Sequence, residues 1–119
     1  MQNQTALPPP TADQIFFALG DASRRSIFRL VTSGPQTVSA LASALGVTLT
    51  AVAQHLVILE SSGLLRTRKQ GRVRICEMHG DGLDVLAQWV ALNRKMWEQR
   101  FDALDALLGE EPSPTKPAV

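Results

Sequence analysis

Residues 37–65 read TVSALASALGVTLTAVAQHLVILESSGLL, and two short helices separated by a glycine can be traced in them directly. In the first, Val38, Leu41, Ala42 and Leu45 fall at the i, i+3, i+4 and i+7 positions that line one helical face. Gly46 is a natural helix end, because glycine takes the left-handed conformation without steric penalty. Val47 is then placed to plug the corner, and Thr48 to cap the second helix. That helix, over about residues 49–61, carries Val52, Leu56 and Leu59 on its buried side and Thr50, Ala51, Gln54 and His55 on another. Two faces imply two jobs, and the arrangement reads as a helix-turn-helix. Thr48, Thr50, Ala51, Gln54 and His55 become candidates for the major groove of DNA, where Gln can pair bidentately with adenine. The same spacing also suits an ordinary helical hairpin.

The next segment, LLRTRKQGRVRIC over residues 64–76, favours the DNA reading. It predicts two short strands joined at Gln70 and Gly71, a wing whose arms carry Arg66, Arg68, Lys69, Gln70, Arg72 and Arg74. Residues 61–80 hold five basic side chains against one acidic, Glu77, while the rest of the chain holds seven basic against ten acidic. The net charge of +1 therefore conceals a concentrated positive patch, an electrostatic footprint for phosphate. A solvated hairpin with arginines for solubility is the plainer alternative.

The 119 residues, 45% of them hydrophobic, suit one globular domain with a partner to complete its core. The expected organisation is a flexible lead at 1–10, a domain at 11–108 and a disordered proline-rich tail at 109–119. A single cysteine cannot form an internal disulfide, which fits a reducing compartment. With no leader pattern and no apolar run of about 20 residues, a cytoplasmic protein without membrane contact is expected. Thr11 or Asp13 can cap a first helix bearing Ile15, Phe16, Phe17 and Leu19. Asp21 can cap a second, with Ile27, Leu30 and Val31 inward and Arg24, Arg25 and Arg29 mostly outward. Gly80 and Gly82 mark a turn, and residues 83–108 form a last helix of about 39 Å.

On that helix Leu83, Leu86, Val90, Trp97, Phe101, Leu104 and Leu108 keep a three-four spacing interrupted only by Asn93. So small a core cannot bury the whole stripe. A homodimer is expected, with Ile15, Phe16, Leu19, Leu86, Val90, Trp97, Phe101, Leu104 and Leu108 at its interface. Folding of the helix back on its own domain is the alternative.

The strings ALGDASRRSIFRLV, TVSALASALGVTLTAVAQHLVILESSGLL and RTRKQGRVRICEM together resemble the ArsR family of winged-helix transcriptional repressors, across most of residues 12–108. The matching marks are Asp21 with Arg24 and Arg25, His55 with Leu56, Gly63 with Leu64 and Leu65, and Gly71 with Arg72. The resemblance implies a mainly α chain with a small β-hairpin, a winged helix-turn-helix in the order helix-helix-helix-helix-strand-strand-helix, dimerised through the first and last helices. It also implies a repressor that binds double-stranded DNA at a palindromic operator and leaves when an effector arrives. Relatives that sense metals carry a cysteine pair before the recognition helix, or His, Asp and Glu ligands on the last helix. Residues 38–42 have no cysteine and residues 83–108 neither His nor Cys, so no metal and no cofactor is expected, and the small-molecule effector stays unnamed. Ala53 and Val57 also depart from the family, which commonly has Ser and a basic or polar residue at those positions.

The remaining candidates are weaker. Cys76 reads as a packed thiol, although Arg74 on the same strand face could lower its pKa and make it a redox sensor. His79 reads as a solvated loop residue, and Trp89 with Trp97 either as a ligand-stacking pair or, through Trp97, as an interface anchor. No nucleophile elbow, phosphate-cradling glycine loop or ligand cluster is present, so an enzyme is not expected. The rival is a dimeric winged-helix module that works through protein contacts, which the reduced polarity at Ala53 and Val57 would suit.

Overall fold

The computed structural model describes residues 8–109. Its elements are α1 (Ala12–Leu19), α2 (Ala22–Thr32), β1 (Gln36–Thr37), α3 (Val38–Leu45), α4 (Leu49–Ser61), β2 (Leu65–Gln70), β3 (Val73–Met78) and α5 (Gly80–Leu108). The lead and tail expected at 1–10 and 109–119 lie outside the described residues, save 8–10 and Gly109. The described residues fall into two compact units that divide between Leu86 and Ala87.

Side chains set the helix starts. Of the two candidates for α1, Thr11 is the cap: it accepts from Gln14 N while the Gln14 side chain accepts from Thr11 N, a reciprocal capping box. Asp21, Thr37 and Thr48 cap α2, α3 and α4 by a single bond each, accepting from Arg24 N, Ala40 N and Ala51 N without a reciprocal partner. Gly46 closes α3 at φ +66°, with Gly46 N donating to Ser43 O and Val47 N to Ala42 O, the paired bonds of a Schellman ending. The chain turns through 112° between α3 and α4 at this point. Val47 does not plug the corner; its side chain is exposed and only its backbone serves the turn.

Ile15, Ala18, Ile27, Val31, Leu41, Val52, Leu56, Leu59, Leu64, Leu65 and Cys76 form the core of the first unit. Two expectations change here. Ile15 is fully buried in this core and is not available to a second subunit. Arg24 is buried rather than outward: Nε donates to Ala18 O at 2.7 Å and Nη2 to Phe17 O at 2.9 Å, and the guanidinium lies 5.2 Å from the Phe17 ring centroid. Arg25 Nη1 adds a bond to Leu19 O, so the arginine pair satisfies the carbonyls left open at the C-terminus of α1.

The sheet has three strands rather than two, in the order β1-β3-β2, all antiparallel. β1 pairs Gln36 with Cys76 and Thr37 with Ile75, and two residues are too few to leave a period in the sequence. The hairpin turns on Gly71 and Arg72, while Gln70 is still paired to Val73. α5 begins at Gly80, so the glycines taken for a turn lie in its first turn. Gly82 is the reason: its N donates to Gly63 O at 2.8 Å, and a Cβ there would lie 2.6 Å from Ser62 O and 2.8 Å from Leu64 N. Backbone thus meets backbone where α5 starts against the end of α4. Among the described residues no single helix is long and apolar enough to cross a membrane. The bent α3–α4 pair reaches that composition in part through Leu41, Val52, Leu56 and Leu59, which fill the core.

Candidate nucleic-acid interface

Helix α4 presents a graded surface. Opposite the buried Val52, Leu56 and Leu59 stand Thr50 and Gln54, both exposed. Thr48 is exposed as well, but its hydroxyl oxygen is engaged in capping, accepting from Ala51 N at 3.1 Å. Ala51 and His55 are half-buried on the flank. The backbone N–H of Arg24 is the main influence holding the Asp21 carboxyl below its ordinary value, and His55 lies near enough to add to that pull. His55 is thus within electrostatic reach of the cap of α2. The exposed face also carries Leu49, Ala53 and Val57, none of which was expected there as a contact.

The wing's basic side chains divide into two groups. Across the hairpin Arg66 pairs with Glu77, and both Arg66 Nε (2.8 Å) and Arg68 Nε (3.1 Å) hold its carboxylate, which the two arginines keep below the ordinary range. Arg68 Nη1 also donates to the Gln70 side chain. The opposite face carries Lys69 directly across from Arg74, a like-charge pairing that is unfavourable unless an anion sits against it. Thr67, Arg68, Lys69 and Arg74 line a depression of about 330 Å³ there. Arg74 Nη2 donates to Thr67 Oγ1, and Thr67 N and Oγ1 both donate to Glu60 Oε2 at 3.0 Å, which ties the wing to the last turn of α4. The side chains of Lys69 and Arg72 make no hydrogen bond or ion pair among the described residues.

Cys76 is fully buried in the central strand, between Gln36 and Thr67. Burial pushes its thiol up from 9.0 to about 11, against the smaller opposing pull of Arg74. Cys76 is thus the packed thiol expected from the sequence; Arg74 does pull its pKa down, but burial outweighs that pull, and a protonated thiol with no solvent access is a poor nucleophile, which counts against the redox alternative. His79 lies in the loop between β3 and α5, as expected, and is half-buried there with Nε2 3.1 Å from Asp81 Oδ2. No three His, Cys, Asp or Glu side chains stand together as a metal site among the described residues.

A helix cap, a 112° corner, an exposed polar edge on the second helix and a cationic hairpin beside it are the parts of a winged helix-turn-helix. A family model described as a helix-turn-helix domain matches residues 19–68. The HTH-type transcriptional regulator Rv2034 of Mycobacterium tuberculosis is 36% identical over 74 residues, which cover 62% of this chain and 69% of that protein. The crystal structure of an ArsR family transcriptional regulator is 38% identical with a TM-score of 0.67, over 72% of this chain and 89% of the other. The chain belongs to the ArsR family. Its architecture is the family's winged helix-turn-helix, and it is a DNA-binding transcriptional regulator. The homodimeric winged helix-turn-helix DNA-binding domain of Mb0332 from Mycobacterium bovis superimposes with a TM-score of 0.56 at 28% identity, over 76% of this chain and 82% of that domain.

α5 is the family element with the most unused surface here. From Ala87 onward Trp89, Val90, Leu92, Met96, Trp97, Phe101, Leu104, Leu107 and Leu108 are all exposed in the single chain. Trp97 and Phe101 lie with ring centroids 5.6 Å apart, and Asn93 donates to Trp89 O instead of interrupting the face with a free amide. The apolar sector is wider than the single stripe predicted, because Trp89, Met96 and Leu107 extend it on one flank. Of the other expected interface residues, Phe16 is exposed, while Leu19 and Leu86 are half-buried against the core.

Proposed function

We propose that this ArsR-family protein is a homodimeric repressor of the cytoplasm that binds a palindromic operator and is released by a non-metal effector. The observation that carries the reading is the exposed Thr50–Gln54 edge of α4 beside the unpaired Lys69 and Arg72 of the wing. Gln54 and Thr50 read bases in the major groove, and Lys69, Arg72 and Arg74 hold the phosphate backbone. The exposed apolar face of α5 is covered by a second copy, in keeping with the homodimeric Mb0332 domain. Two recognition helices on a two-fold axis read half-sites about 34 Å apart. Repression rests on the family resemblance. Release requires an effector that binds two dimer geometries with different affinities.

Selection of duplexes from a sheared genomic library, followed by affinities across a salt series, tests this. The expected result is a palindrome preferred at least ~10³-fold over a scrambled control, with log K falling by about 0.9 per log salt for each neutralised phosphate. Arg72→Ala weakens all duplexes and flattens that slope by about one per subunit, whereas Gln54→Ala relaxes base preference at one position by about 1–3 kcal/mol. Equal effects of the two substitutions on specific and random duplexes would remove the division of labour. Weak binding without a consensus would leave the protein-contact module as the function.

A further inference from the structure

On α4, immediately beside the Thr50–Gln54 edge, Leu49, Ala53 and Val57 repeat every four residues and therefore form one row along the helix. Leu49 is 56% exposed and Val57 64% exposed, on a 13-residue helix whose three core positions are fully or almost fully buried. The row borders a groove of about 120 Å³ lined by Val38, Ala53, Leu56, Val57, Glu60 and Arg74. Apolar side chains on the surface a regulator turns toward a polyanion have no evident packing role, since the core is complete without them.

From this we infer that Leu49, Ala53 and Val57 read the C5-methyl groups of thymine, so that the operator half-site carries thymines along one edge of the major groove. The inference rests on the DNA-binding reading above and extends it to base preference. Three observations select this occupant over an apolar peptide. The row is continuous with the polar edge of the same recognition helix. Its groove is lined by Arg74 and Glu60, whose Oε2 accepts from Thr67, and the neighbouring depression is lined by Arg68, Lys69 and Arg74, a setting for an anionic partner. Leu49 and Val57 are about 12 Å apart along the axis, which spans three to four base pairs at about 3.4 Å each. In the major groove the thymine methyl is the apolar group a base edge presents, and aliphatic side chains pack against it. The departures from Ser and from a basic residue at Ala53 and Val57 thus exchange a polar contact for an apolar one.

The experiment compares the selected operator with copies in which single thymines are replaced by deoxyuridine, which removes the methyl and leaves every hydrogen-bonding edge intact. The expected loss is about threefold to fivefold for each contacted methyl, the size of one buried carbon, with an unchanged salt slope because no charge is involved. Leu49→Ala and Val57→Ala, both at exposed positions, each abolish the thymine-to-deoxyuridine difference at one position, while Gln54→Ala preserves it. If the wild type binds its palindrome specifically yet is indifferent to every deoxyuridine, the inference is overturned and the regulator reading stands. If no specific duplex is recovered, both fall together.

Discussion

The two units handle their side chains in opposite ways. In residues 8–86 most large apolar groups of α2, α3 and α4 converge on one core, Leu49 and Val57 excepted, and the buried guanidinium of Arg24 is held by two carbonyls. In residues 87–108 the single chain leaves nine large apolar side chains exposed. The contrast sets a region with a core of its own against one whose apolar surface stays open among the described residues of the single chain, the kind of surface that marks an interaction site.

The sharpest way to break the first region is at its tightest backbone contact. Gly82→Ala would drive a methyl group into Ser62 O and Leu64 N, and is expected to lower unfolding stability by about 3 kcal/mol. Denaturant melts of the two proteins measure this, and an unchanged midpoint would mean that the start of α5 is not fixed there.

The second region is tested by Trp97→Ala, which removes the larger partner of the Trp97–Phe101 pair. Self-association measured by sedimentation equilibrium is expected to weaken by about 2 kcal/mol, roughly thirtyfold, as for an aromatic interface anchor. The stability of the dissociated chain should hardly change. A concentration-independent loss of stability would instead mean that Trp97 packs within its own chain, and the contrast between the regions would disappear.

The smallest effect sharpens the contrast at Cys76, in the first region's own core. Its folded pKa is raised, so the unfolded thiol ionises first and releases its proton. The associated stability is fully present below pH 9.0 and declines as pH rises toward about 11. Cys76→Ser should shift the alkaline limb of the stability curve without reproducing that slope. A thiol reagent at pH 8 should label the native chain no faster than the chain opens, and rapid labelling would show that Cys76 is accessible after all.

Much of this molecule was legible from spacing and caps. The period of Val38, Leu41, Ala42 and Leu45, the Gly46 stop and the Thr48 cap needed only local geometry, and the structure reproduces each of them. The wing was legible because its alternation and its Gly71 turn are also local. Arg24 and Ile15 were misplaced because residue type and helical phase do not tell which neighbour a side chain meets. Ala53 and Val57 were read only as missing polarity and Leu49 was not singled out, because a residue's phase on a helix does not tell how far the neighbouring elements leave it exposed.

The order of residues alone thus dictates whatever is periodic or capped: four helices, a charged hairpin and an amphipathic last helix, all set by interactions within a few residues. Long-range features came from packing instead. The pairing of Gln36 and Thr37 with β3 buries Cys76. The backbone contact at Gly82 starts α5 three residues earlier than its apolar pattern does. The sharing of Glu77 between Arg66 and Arg68 leaves Lys69 and Arg72 as the unpaired cations among the wing's described side chains. Each depends on which segment arrives beside which, and no local propensity encodes that.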